Sequence, residues 1–348
     1  MCYIDMIKNI QKLARGENVY DDSLGKMLLE NRCYYLLFQS ENYAQKYLLT
    51  MGMNSLVVRQ LYAICHTVFD KLRSIPYVHI KGGALSSRIY GNPACRSFGD
   101  IDLLIPPEYS EKVKKLLRES GFVQGRLIDG KISPFSRKEM IYQKSFSHQL
   151  APFIKESGAK MCPYVKIDVN LDIIWGEGDV FVDMNKFVSN FEYLEVTDYK
   201  IRCLQPVWEF ISLCMHHYKD ANSIYLIANR GFDLSEYCDI YFYLINVSPN
   251  ANKIAEVSKE YGLSDYVFYC IYCTNVIFND CRLSVYLDKL DSESARKLLC
   301  CYGLTDSERK EWDVSFSERL FDRNFRANFY ASLSAKERRK VEINRMFM

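Results

Sequence analysis

The sequence predicts an α+β fold that begins with a helical lead-in and ends in a helical domain. Three observations carry this. Apolar residues recur at three- and four-residue intervals before about residue 75 and again from about residue 207 onward. Two short apolar runs, Tyr77–Ile80 and Ile101–Ile105, are bounded by glycine and proline and read as strands. Between about Phe122 and Ile174 the pattern turns extended. The expected division is a lead-in over 1–75, a central domain over 76–200 and a helical domain over 201–348.

Each element has a local cause. In QLYAICHTVFDKL, residues Leu61, Ile64, Val68 and Leu72 share one helix face, and Pro76 ends the run. The strand Tyr77–Ile80 then meets Lys81, Gly82 and Gly83, after which a helix is expected from Ala84 to Tyr90. The stretch Gly91–Gly99 is dense in Gly, Asn, Pro and Ser and reads as a loop. It delivers the chain to Ile101–Ile105, and two prolines stop that strand. Next, EYSEKVKKLLRESGF places Tyr109, Val113, Leu116 and Leu117 on one face, with a glycine stop at Gly121. Beyond it, Lys144–Phe153 and Tyr164–Ile174 are expected as an antiparallel hairpin, joined by a polar turn at residues 155–158. From Val207 on, stretches such as WEFISLCMHHYKD and LSEYCDIYFYLIN are helical.

Composition excludes several classes. Apolar residues at 49% and charged residues at 25% match an ordinary globular protein. A net charge of +2 supplies no global field toward a polyanion, which disfavours a long nucleic-acid partner. The basic stretch around Lys336, Arg338, Arg339, Lys340 and Arg345 is interleaved with Glu337 and Glu342, as in a solvated helix with ion pairs along it. Thirteen cysteines, scattered, odd in number and without a secretory signal, indicate reduced thiols in a cytoplasm. The close pair Cys270 and Cys273 sits in an apolar helical run and reads as buried rather than as a zinc site. That run falls short of the roughly 20 residues that cross a bilayer, so no membrane partner is expected.

The string Asp100-Ile-Asp102-Leu-Leu-Ile carries the chemistry. Residues two apart on a strand share a face, so both carboxylates project together while Ile101 and Leu103 point the other way, into a core. Adjacent carboxylates repel unless a cation lies between them, and magnesium, a hard ion suited to carboxylates and phosphates, is the natural candidate. Gly82 and Gly83 would let the backbone approach a phosphate, with the following helix offering its N–H groups. Lys81 and Arg96 are cations placed to meet phosphates. A third carboxylate is available on a later strand, where Asp168 and Asp172 share a face by even spacing; Asp168 is the choice.

At these residues the chain resembles the bacterial uncharacterised nucleotidyltransferases, a branch of the DNA polymerase beta superfamily. The shared pattern runs through Ile80-Lys-Gly-Gly-Ala-Leu85, Tyr90, Arg96 and Gly99-Asp-Ile-Asp-Leu-Leu104, and continues more loosely through Ser147-His148, the strand of Asp168, Cys214-Met-His-His217 and Tyr237-Cys-Asp239-Ile. One departure stands out: where the family often has an acidic-Leu-His-Trp run, this chain has Asn170 and Leu171 after its third acidic position. The resemblance implies a mixed sheet packed on helices and a bound nucleoside triphosphate. It further implies transfer of a nucleoside monophosphate with release of pyrophosphate, dependent on magnesium or manganese. Family members commonly sit in polysaccharide, peptide or natural-product pathways, so the implied acceptor is a small molecule, sugar or peptide.

Two rivals come from other classes. A non-catalytic nucleotide sensor would keep the fold, although intact Asp100 and Asp102 argue for turnover. A His-Asp metal phosphohydrolase would draw on His216, His217, Asp220 and Asp239. Adjacent helical residues point about 100° apart, so only one of the two histidines could join such a site. His148 is a further polar residue in a strand-like segment.

Overall fold

The computed structural model describes residues 3–96, 98–146, 148–175 and 180–347, which leaves Ser147 of the shared pattern outside the described residues. The chain forms two compact units. One lies within residues 47–176 and 181–209, the other within 1–46 and 210–348.

The first unit is built on an eight-stranded sheet: β1 (Val78–Ile80), β2 (Asp100–Leu104), β3 (Val123–Ile128), β4 (Lys131–Pro134), β5 (Phe153–Ala159), β6 (Cys162–Asn170), β7 (Phe191–Val196) and β8 (Tyr199–Leu204). Across the sheet the order is β4-β3-β5-β6-β2-β1-β8-β7. β2 runs parallel to β6, and β1 parallel to β8, while β1 and β2 are antiparallel, so the sheet is mixed. With helices making up the rest, the fold is α+β.

One face of this sheet is sealed by helices. Leu61, Val68 and Leu72 of the helix Leu48–Leu72 are buried in one core with Val113 and Leu117 of the helix Ser110–Glu119. Ile101, Leu103, Val165, Ile167, Val169, Ile201 and Cys203 complete that core from the strands. Each such side chain contributes about 1.5 to 3 kcal/mol when fully buried. Alternation along β2 and β6 then forces the even-numbered residues onto the opposite face, and these include Asp100, Asp102 and Asp168.

Two expectations in the central region need correction. The stretch expected to begin a strand at Lys144 is instead the end of a helix, Arg137–Phe146. Ser136 starts it: the Ser136 N–H donates to Glu139 Oε2 at 2.8 Å, and the Glu139 N–H donates to Ser136 Oγ at 3.3 Å. This reciprocal cap is encoded by Ser-x-x-Glu and outweighs the mixed apolar pattern that follows. The expected hairpin exists as β5 and β6, but residues 155–158 do not form its turn. They continue the strand, whose register shifts between Glu156 and Ala159. Gly158, at φ +73°, absorbs that irregularity as a bulge, and the chain reverses at residues 160–161.

The second unit is helical apart from the two-residue strands Cys301–Tyr302 and Lys310–Glu311. Its longest apolar helix, Ser264–Phe278, buries both Cys270 and Cys273. Near the C-terminus Glu337 pairs with Lys310 at 2.6 Å rather than within its own helix. Among the described residues no helix is long and apolar enough to cross a membrane.

Candidate active site

Parallel pairing of β2 with β6 sets Asp100 opposite Lys166, Asp102 opposite Asp168 and Leu104 opposite Asn170. Three carboxylates therefore share one patch of the sheet. Asp172 does not join them: β6 ends at Asn170, and the Asp172 carboxylate turns back to accept the Ile174 N–H at 2.9 Å. Even spacing carries a face assignment only while the strand lasts, and it stops two residues short of Asp172.

The next strand over is β1, whose Ile80 lies opposite Asp102. There the chain breaks sharply into the helix Gly82–Tyr90. Lys81 takes φ +56°, rare for a residue with a Cβ, and Gly82 follows at φ +47°. A Cβ on Gly82 would stand 3.7 Å from the Asp100 carbonyl oxygen, so the turn lies against the start of β2. The strained turn aims Lys81 at the acidic patch, with its Nζ 3.6 Å from Asp102 Oδ1.

Electrostatics in the patch are set by burial and by these neighbours. Burial raises the Asp168 carboxyl to about 6, with repulsion from Asp102 and Asp100 adding to it and Lys166 opposing. Asp100 is also raised, by burial and by Asp102, against the pull of Lys166, Lys81 and Arg96. Arg96 thus acts on the patch from the loop before β2. Lys166 places its ammonium 2.7 Å from Asp168 Oδ2 and 3.7 Å from Asp100 Oδ2. Burial lowers its pKa, but the surrounding carboxylates prevail and the net shift is upward.

Lys166 and Asn170 also belong to this patch; nothing in their residue types marks them in the sequence, although their even spacing from Asp168 places them on its face. Asn170 is buried; its Nδ2 donates to the Leu103 carbonyl at 3.2 Å and lies 3.5 Å from Asp102 Oδ1, and its Oδ1 accepts from Gln149 Nε2. It stands at the point where the chain departs from the acidic-Leu-His-Trp run. The His148 carbonyl accepts the Leu171 N–H at 2.8 Å, which ties His148 to the end of the same strand.

The donor set fits a hard divalent cation. Its members are carboxylate oxygens, and among the described residues the buried Asp168 Oδ1 has no hydrogen-bond partner.

Residues 37–279 match the family described as uncharacterised nucleotidyltransferase. The chain belongs to that family. The matched range includes β1, β2 and β6, and thus every residue of the acidic patch. Membership supports a nucleotidyltransferase activity in general and a nucleoside triphosphate as its substrate. Nucleotidyltransferases generally use divalent metals, in keeping with the donor set. Among solved structures, this nucleotidyltransferase is similar to an antigenic nucleotidyltransferase-like protein from Paracoccidioides brasiliensis, at 14% identity over 53% of this chain and 76% of that one. The TM-score is 0.32, too low for the likeness to carry weight. No curated protein matches the chain.

The residues of the rival hydrolase reading lie in the helical unit. His216, Asp220 and Glu236 bring ligand atoms within 4.8 Å of one another. His217 is not one of the three, but its Nδ1 lies 2.6 Å from Oε2 of the same Glu236, so that carboxylate already has a partner. Asp220 also faces Lys219 at 3.5 Å and Arg230 at 3.9 Å, so its charge already has cationic partners.

Proposed function

We propose that this nucleotidyltransferase moves a nucleoside monophosphate from a nucleoside triphosphate to a small-molecule, sugar or peptide acceptor and releases pyrophosphate, with magnesium or manganese required. The observation that carries this reading is the pairing of Asp102 with Asp168 across β2 and β6, with Asp100 on the same face two residues away. In this reading Asp100, Asp102 and Asp168 hold the metal. A divalent cation bound there supplies positive charge to the phosphate oxygens and to the departing pyrophosphate.

The remaining roles fall to the chain's own groups. Lys81, aimed at Asp102 from the end of β1, and Arg96, in the loop before β2, neutralise phosphate charge. Gly82 and Gly83 open the helix Gly82–Tyr90, whose N-terminal end favours an anion. Asp168, beside the position of the metal, would also draw the proton from the acceptor nucleophile. A formal charge of +2 supports a compact acceptor over a polyanionic one.

The test is to incubate the purified protein with each labelled nucleoside triphosphate, magnesium and a panel of acceptors. Pyrophosphate release with labelling of an acceptor is the expected result. Asp102→Asn should fold normally and lose roughly a thousandfold in turnover, equivalent to about 4 kcal/mol of transition-state stabilisation. A folded and fully active Asp102→Asn protein would remove the reading. Release of inorganic phosphate would favour a hydrolase, and binding without turnover a sensor.

A further inference from the structure

The acidic patch contains a cation of its own. Lys166 lies opposite Asp100 and two residues before Asp168 on the same face. Its ammonium meets Asp168 Oδ2 at 2.7 Å and approaches Asp100 Oδ2 at 3.7 Å. Lys81 stands at the other side of the patch, 3.6 Å from Asp102 Oδ1. We propose that Lys166 is the resident counter-cation of this cluster: it holds Asp168 and Asp100 together in the metal-free protein and must swing away when those carboxylates bind a divalent cation. The inference rests on reading Asp100, Asp102 and Asp168 as the metal site.

Three observations support an exchange over a permanent ion pair. First, the ammonium takes one oxygen of Asp168 and leaves the other, Oδ1, buried without a hydrogen-bond partner among the described residues. A lysine is a point charge that cannot grip both oxygens in the forked manner of an arginine. Second, the Lys166 side chain is 37% exposed, against 12% for Asp168, so the ammonium has a route to solvent that the carboxylate lacks. Its four-carbon stem permits that movement with β6 in place. Third, an ammonium at hydrogen-bond distance from Asp168 occupies space that a metal ligated by the same carboxylate needs, and two cations so close repel. No proton is transferred in the exchange.

The consequence is that Lys166 keeps the metal-free patch from flying apart and, by competing, weakens its affinity for a free ion. The experiment measures Mn²⁺ binding by calorimetry on the full chain, with thermal unfolding in chelator and in saturating Mn²⁺. Lys166→Gln should bind Mn²⁺ more tightly by roughly fivefold or more, and Lys166→Arg, which keeps the charge and can fork across both oxygens of Asp168, should bind it no more tightly than wild type. Lys166→Gln should also unfold at a lower temperature in chelator, with the deficit shrinking once Mn²⁺ is added. Lys166→Met, of similar reach without the charge, carries the same expectations if the glutamine variant does not fold.

Unchanged or weaker Mn²⁺ affinity in Lys166→Gln, or a stability deficit equal with and without Mn²⁺, overturns the inference and leaves Lys166 a structural partner of Asp168. Asp102→Asn separates this failure from that of the site itself. If wild type binds Mn²⁺, Asp102→Asn does not, and Lys166→Gln gains nothing, the metal site stands and the exchange falls. If wild type binds no Mn²⁺, both fall together.

Discussion

Protonating His79 would place a charge among the rings of Phe69, Tyr62 and Tyr77, whose centroids lie 4.5, 6.2 and 5.8 Å from its own. The residue is 2% exposed, its Nε2 has no hydrogen-bond partner among the described residues, and burial alone lowers its pKa to about 3. The folded protein therefore keeps His79 neutral, while the unfolded chain takes up a proton as pH falls below about 6.5. Because the unfolded state binds more protons, the stability contributed is complete above about pH 6.5 and falls as pH drops toward 3. From pH 7 to pH 5 this one residue should cost about 2 kcal/mol. Urea unfolding at both values measures it: His79→Phe, which retains an aromatic ring without a titrating group, should shrink the difference between them by that amount. An undiminished difference would mean that other groups carry the acid sensitivity. His79 pairs across to Leu103, on the core face of β1, so it has no part in the acidic patch. Alternation alone makes that separation legible in the sequence, as it does for Asp100 and Asp102. Lys166 needed more, because the meaning of an ammonium two residues from a carboxylate depends on which strand pairs alongside.

The turn from β1 into the helix Gly82–Tyr90 shows two glycines meeting two different demands. Gly82 adopts φ +47°, a conformation that residues with a Cβ rarely accept. Gly83 is required for closeness: a Cβ there would stand 2.7 Å from Tyr62 Oη and 2.9 Å from Phe98 Cζ. Gly83→Ala is thus expected to destabilise the protein by about 1 to 3 kcal/mol as Tyr62 and Phe98 are pushed aside. Thermal or urea unfolding would read this directly, and an unaltered midpoint would show that the two rings yield freely. The Lys-Gly-Gly signal announced a turn, but the reason for its second glycine came from a helix some twenty residues upstream. A similar limit explains the hairpin of β5 and β6. Glycine and serine near residue 158 signal an interruption of the strand, yet local pattern cannot tell a bulge from a reversal; cross-strand register decides. The helix Arg137–Phe146 differs, since its Ser136 and Glu139 cap is written in the sequence and prevails over the extended pattern of the apolar residues that follow.

For the molecule as a whole, 45 basic against 43 acidic side chains leave no long-range field to gather a nucleic acid. At physiological salt the protein should therefore show no binding to transfer RNA tighter than about 10 µM; a tighter complex with steep salt dependence in a gel-shift titration would contradict this. The helices within 1–46 cluster with those within 210–348, a grouping of distant segments that no reading along the chain discloses. By itself the sequence determined the local elements with strong periodicity, the facing of Asp100 with Asp102 and the family pattern around them, because each depends on backbone geometry within a few residues. Only the tertiary structure decided that Asp168 rather than Asp172 joins the pair, that Lys166 stands between the carboxylates and that Asn170 reaches Asp102. Those facts follow from the parallel register of β2 with β6, two strands nearly sixty residues apart in the chain. Register is settled by which apolar faces are buried together, a property of the packed sheet that neither strand possesses alone.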